Sequence, residues 1–172
     1  MTTTSQAPAV IDWLVNAAKA SPLLGAATPA VSVFDGPQPP VATQALAQVL
    51  WIGCDPAQPA DKAAESAGGW PVMDHARTRE EHGTITCAAQ HWSGDPASKV
   101  HRDGAAAIMG GVELLLRGDG TTGPGDASMG DLVFWSAVGD SVEWYPRQLA
   151  GGVACLVVFT VSYYTRLTTT GP

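Results

Sequence analysis

The chain has 172 residues, 45% of them hydrophobic and 15% charged, a balance that suits one domain over residues 1–172 with a sizeable core and excludes a chain disordered throughout. The formal charge of −7, from 16 acidic and 9 basic residues, argues against the broad basic surface with which nucleic-acid binders displace phosphate counterions. Nineteen glycines and thirteen prolines together exceed their average usage of ~12% and predict many turns and long connections.

The three cysteines, Cys54, Cys87 and Cys155, lie 33 and 68 residues apart with no C-x-x-C pair. This spacing signals neither a disulfide framework nor a zinc site, and the three read as small buried residues of strands. The opening residues Met1–Pro8 lack the basic and apolar regions of a signal peptide, and no window approaches the ~18 apolar residues of a membrane span. The expectation is a soluble protein made inside the cell.

In chain order, residues 1–9 are expected to form a flexible N-terminus. Val10, Ile11, Leu14, Val15 and Ala18 then recur at helical spacing and predict an amphipathic helix ending near Ser21-Pro22. Val31–Phe34 is a short β-type run closed by Asp35-Gly36-Pro37, with Pro39-Pro40 beyond it. Leu46–Gly53 is a continuous apolar run of strand length. Residues 57–81 show no sustained period and read as a long loop. Gly83–Trp92 alternates, placing Ile85, Cys87, Ala89 and His91 on one face of a strand and Thr84, Thr86, Ala88, Gln90 and Trp92 on the other.

The strongest helical pattern follows, with Asp95 as N-cap, Pro96 at the first helical position, a stripe of Val100, Ala107, Ile108, Val112, Leu115 and Leu116, and an end at Arg117-Gly118. Gly104 and Gly110-Gly111 weaken it and point to a close packing partner. Residues 118–131 read as a second long loop. Leu132–Val138, Val142–Leu149 and Val153–Leu167 read as three strands of an antiparallel meander, with breaks at Gly139-Asp140 and Gly151-Gly152. In the last run Val153, Cys155, Val157, Phe159, Val161, Tyr163 and Leu167 share a face. Fifteen residues at ~3.3 Å span about 50 Å, beyond the ~40 Å diameter of such a domain, so this strand is expected to bend or to project as an edge open to another chain.

No motif carries covalent chemistry. Gly118–Gly123 matches G-x-G-x-x-G, but it leaves a helix instead of opening one, where the helix end repels phosphate. His101-Arg102-Asp103 copies a kinase triplet inside the predicted helix and reads as a solvated helix face. His75, His82 and His91 form no metal-binding pair, and no nucleophile elbow accompanies them. No catalytic, cofactor-binding or metal residue is assigned, and an enzyme is not expected. Asp119, Asp126 and Asp131 form an acidic loop. Of the six tryptophans, Trp92 and Trp144, with Tyr145 and Arg147, are assigned to a contact surface, because Trp, Tyr and Arg dominate interface hot spots.

Val33–Pro37, Trp51–Pro56, Glu80–Asp95, the long helix after it and Val157–Leu167 come in an order and spacing that resembles the tail terminator, or tail completion, proteins of long-tailed bacteriophages. The resemblance spans roughly residues 31–167. It implies an α/β (α+β) protomer, a mostly antiparallel sheet of about four to six strands flanked by two main helices, and assembly into a homohexameric ring. Such a ring caps the tail tube in the virion and joins it to the head connector, passing DNA through its lumen without specific binding and without a cofactor. Six copies would carry a charge of about −42, which keeps DNA from adhering to a lumen, and Asp119, Asp126 and Asp131 would line that lumen or meet the tube. A head-tail stopper ring is the nearest rival. A small cytosolic enzyme or ligand-binding domain using His91 and a lid at 57–81 is the rival from another class.

Overall fold

The structure, a computed structural model, describes residues 5–38, 47–58, 62–69, 78–118, 125–149 and 151–168. Its elements in chain order are α1 (Ala7–Ala20), β1 (Ser32–Asp35), β2 (Gln48–Ile52), β3 (Ala64–Gly69), β4 (Thr78–Ser93), α2 (Ser98–Arg117), β5 (Trp135–Leu149) and β6 (Gly152–Thr168). The strands form one six-stranded sheet in the order β1-β2-β4-β6-β5, with β3 also paired to β4. Among the described residues only β1 and β2 run parallel, and every other pairing is antiparallel. This is an α+β fold with a mostly antiparallel sheet and, among the described residues, two helices, the class that the resemblance implies.

Strand alternation decides where the core lies. Leu50, Ile52, Ile85, Cys87, Ala89, Cys155, Val157, Phe159, Val161 and Tyr163 point to one side, where they meet Val10, Leu14, Val15 and Ala18 of α1 and Ala105, Ile108, Val112 and Leu116 of α2. Both helices therefore cover the same face. Burying a side chain such as Phe159 or Leu14 contributes about 1.5–3 kcal/mol. The intervening residues Val49, Trp51, Ala88 and Leu156 form a smaller cluster on the other face, with Phe34, Tyr145 and Val158 packed against it. The helix α2 ends at Gly118 (φ 70°), whose N–H donates to Leu114 O at 2.8 Å, as Arg117-Gly118 predicts.

Several expectations are corrected. The segment 57–81 is not one long loop: it contains β3 and the start of β4. Ala64–Gly69 has no β-branched residue, so its pairing with Glu80–Ile85, not its own propensity, makes it a strand. The two strands expected on either side of Gly139-Asp140 are one strand, β5. Val138 pairs with Val161 and Val142 with Phe159, so Gly139–Ser141 bulge opposite Thr160 while both valines keep the helix side. The glycine is needed here, since a Cβ at Gly139 would overlap Thr160 Oγ1.

The long apolar strand β6 is not an edge. It lies between β4 and β5 and pairs with β4 from Val153 to Thr168, so its length is matched by its own neighbours. Among the described strands the edges are β1, β3 and β5, and Pro146 lies in β5, where it has no N–H to offer another strand. Asp95 and Pro96 precede α2 instead of opening it: Ala97 is the N-cap residue, and Asp95 Oδ1 accepts its N–H at 2.7 Å. Residues 7–9, expected to be flexible, form the first turn of α1. His101, expected on a solvated helix face, is fully buried, because that side of α2 packs on β4. No helix among the described residues is long and apolar enough to cross a membrane.

Candidate interaction surface

The contact surface predicted at Trp92, Trp144, Tyr145 and Arg147 is divided by the sheet. Trp144 stands opposite Val157 on the helix side and is 40% exposed. Tyr145 and Arg147 stand opposite Leu156 and Ala154 on the other face, where Tyr145 packs against the small apolar cluster. The Tyr145 hydroxyl donates to the Glu143 carboxylate, and that bond pushes its pKa up. Trp92 ends β4 on the same face, partly buried. A Cβ at Gly151 would sit 3.4 Å from its Cζ2, and its Nε1 is buried with no partner among the described residues. It packs against the β5–β6 turn instead of presenting its ring.

The acidic residues are equally unlike one another. Asp126 turns inward on its own loop: Oδ1 accepts Ser128 N–H at 3.0 Å and Ser128 Oγ–H at 2.6 Å, and Oδ2 accepts Gly130 N–H at 2.7 Å. These bonds, Ser128's first, hold its carboxyl below the usual range. Asp131 is exposed with φ 65°, and its N–H donates to Ser128 Oγ. Asp119 lies outside the described residues.

The sequence reading missed a row of aromatic groups on the sheet face away from α1 and α2. Trp135 of β5 pairs with Tyr164 of β6, which pairs in turn with His82 of β4, so the three side chains line up across the sheet. The His82 and Tyr164 rings are 4.5 Å apart, and Phe134 stacks on Tyr164 at 5.6 Å. Phe134 is 64% and Trp135 46% exposed. Beside the row, Arg166 Nη2 donates to Glu80 Oε1 at 2.8 Å and holds that carboxyl below its usual range. Inward along the same face lie Thr84, Thr86, Thr160 and Ser162, and then the cluster around Trp51 and Leu156.

His91, on which an enzymatic reading turns, has its Nδ1 3.3 Å from Nδ1 of His101. Among the described residues, no group of three or more His, Cys, Asp or Glu side chains is placed to hold a metal ion. Burial raises the thiol pKa of all three cysteines, that of Cys87 to about 12, so none is set up as a nucleophile. Compared with known families and curated proteins, the chain matches no family model and no curated sequence.

Proposed function

We propose that the protein is a tail terminator subunit of a long-tailed bacteriophage, a structural virion protein that forms a ring, caps the tail tube and joins it to the head connector. The observation that carries this reading is the sheet face away from α1 and α2, where Phe134 and Trp135 are exposed around a half-buried Tyr164 next to an ion pair. Monomers rarely leave such aromatic groups to water, and Trp and Tyr are enriched where protein surfaces meet. The ordered sequence segments from Val33 to Leu167 support the same reading. Neighbouring subunits meet through faces in this proposal, since Pro146 and the Gly139–Ser141 bulge blunt the β5 edge. The acidic charge keeps DNA moving through the ring without adhesion.

The test is production of the full chain together with a candidate tail tube protein from the same genome, followed by electron microscopy of the tubes. Rings at one end of each tube, lost in a Phe134→Ser, Trp135→Ser double variant, are expected. Binding to the head connector but not to the tube would instead assign a stopper, and binding to neither would overturn the proposal.

A further inference from the structure

We propose that His91 of β4 and His101 of α2 form a proton-operated latch that holds the first turns of α2 against the sheet and opens when the pair takes up a second proton. The two rings face each other head-on: Nδ1 to Nδ1 is 3.3 Å and the ring centres are 5.5 Å apart, close to the nitrogen separation plus the two ring radii. His101 Nε2 lies 2.8 Å from the carbonyl oxygen of Asp95. A carbonyl only accepts, so this Nε2 carries the hydrogen, and the Nδ1 of neutral His101 is a bare acceptor. His91 must then donate through its Nδ1–H. The contact is close because Gly104, one turn along α2, has no Cβ; one there would overlap Cγ and Cδ2 of the His91 ring.

Protonation proceeds in two unequal steps. The first proton enters at Nε2 of His91, which is partly buried, and leaves its Nδ1–H bond to His101 in place. The second has only Nδ1 of His101 to enter, the atom that accepts that bond. Two N–H groups would then point at each other, with two charges on a pair of which His101 is fully buried, and the rings must part. Burial and the neighbouring His101 both lower the pKa of His91.

Among the described residues, the groups facing the pair supply no free carboxylate: the exposed Asp103, two residues along α2 from His101, is paired with Lys99. From β6 the thiol of Cys155 stands opposite His91 and is kept protonated by burial. From β2 the partner is the uncharged Gln48, and Pro146 of β5 stands beyond Cys155. On α2 the neighbouring cation is Arg102, which is exposed. The Asp95 carboxylate is engaged by Ala97 N–H. Opening releases both the first turn of α2 and its tie to the 95–97 segment, while Ile108, Val112 and Leu116 keep the rest of the helix on the core.

The experiment is an imidazole nitrogen NMR titration of the full chain together with amide exchange of residues 98–104. The latch requires a coupled titration in which the second proton binds at least ~10-fold more weakly than to an imidazole with the ordinary pKa of 6.5. Amide exchange in 98–104 should accelerate at least ~10-fold in step with it, beyond the intrinsic pH dependence. In a His91→Gln variant the amide can donate to or accept from His101, so that acid response should disappear. Independent titration of both rings near 6.5, or acid opening that persists in His91→Gln, overturns the latch. If that variant does not fold, the titration of the unaltered protein decides alone.

Discussion

The Tyr163 hydroxyl of β6 donates to the buried carboxylate of Glu81 on β4 at 2.8 Å, although Tyr163 pairs with Gly83 and not with Glu81. Gly83 makes this possible: a Cβ there would overlap the phenol ring, so the ring lies over the glycine and reaches two residues along the strand. The same carboxylate accepts Gln6 N–H at 3.0 Å and Ser5 Oγ–H at 2.5 Å, which ties the start of α1 to the sheet where the helix end favours negative charge.

Removing this carboxylate leaves three donors without their acceptor. Glu81→Ala is expected to cost about 2–3 kcal/mol and Tyr163→Phe about 1–2 kcal/mol, read as shifts of the urea midpoint at unchanged slope. Burial and Glu81 raise the Tyr163 pKa above 10.0, so the folded protein keeps a proton that the unfolded chain releases. The stabilisation is complete below pH 10.0 and is lost as pH rises through the folded value. Tyr163→Phe should flatten that alkaline loss, and an equally steep loss would exclude Tyr163 as its source.

Two glycines of α2 should respond to alanine with opposite signs. Gly110 has nothing within 4 Å of an added Cβ, and Gly110→Ala should stabilise by about 0.5–1 kcal/mol. Gly104→Ala would drive a Cβ into the His91 ring, which its bond to His101 holds in place, and should destabilise by about 1–3 kcal/mol. Thermal unfolding of the two variants side by side checks the contrast.

Asp126 and Asp131 should separate a turn-building role from surface charge. Asp126→Ala removes the acceptors of Ser128 and Gly130 and should cost about 1–2 kcal/mol. Asp131→Asn keeps a residue that tolerates φ 65° and should change stability by less than about 0.5 kcal/mol. Because the Asp126 carboxyl sits below its ordinary value of 3.8, its contribution is present above that pH and is lost as pH falls through the folded value. A charge test of any DNA channel therefore belongs at Asp131.

The thiols should be silent in the native state. Cys54, Cys87 and Cys155 are buried and unpaired, with Cys87 pushed up to about 12. Ellman's reagent at neutral pH is expected to find no fast thiol in the folded protein and three in urea. A native thiol reacting at the rate of the unfolded chain would contradict the burial of that residue.

Substitution on the aromatic row should affect assembly without affecting the fold. Trp135→Ser, at a side chain already 46% exposed, should leave the urea midpoint within about 0.5 kcal/mol of the parent while weakening self-association measured by light scattering. Loss of stability with unaltered association would assign the row to folding alone.

Much of the fold was legible because periodicity reports burial directly. Ile85, Cys87 and Ala89, and Cys155, Val157, Phe159, Val161 and Tyr163, share the faces that their alternation predicts, and Val10, Leu14, Val15 and Ala18 form the stripe of α1. Ala64–Gly69 was not legible, because a strand held by its neighbour's backbone needs no pattern of its own. The Gly139-Asp140 break was misread because a bulge and a turn use the same residues; only the pairing of Val138 with Val161 and Val142 with Phe159 distinguishes them.

The sequence by itself determined the core-facing residues of α1, β4 and β6 and the acidic, turn-rich character of the chain, which follow from local spacing and composition. Tertiary structure alone decided which strands lie at the edges, that both helices cover one face, and that His101 meets His91 while Trp135 meets Tyr164. Those outcomes depend on which segments pair across dozens of residues, and pairing is set by the summed burial of the whole sheet, a quantity that no local window contains.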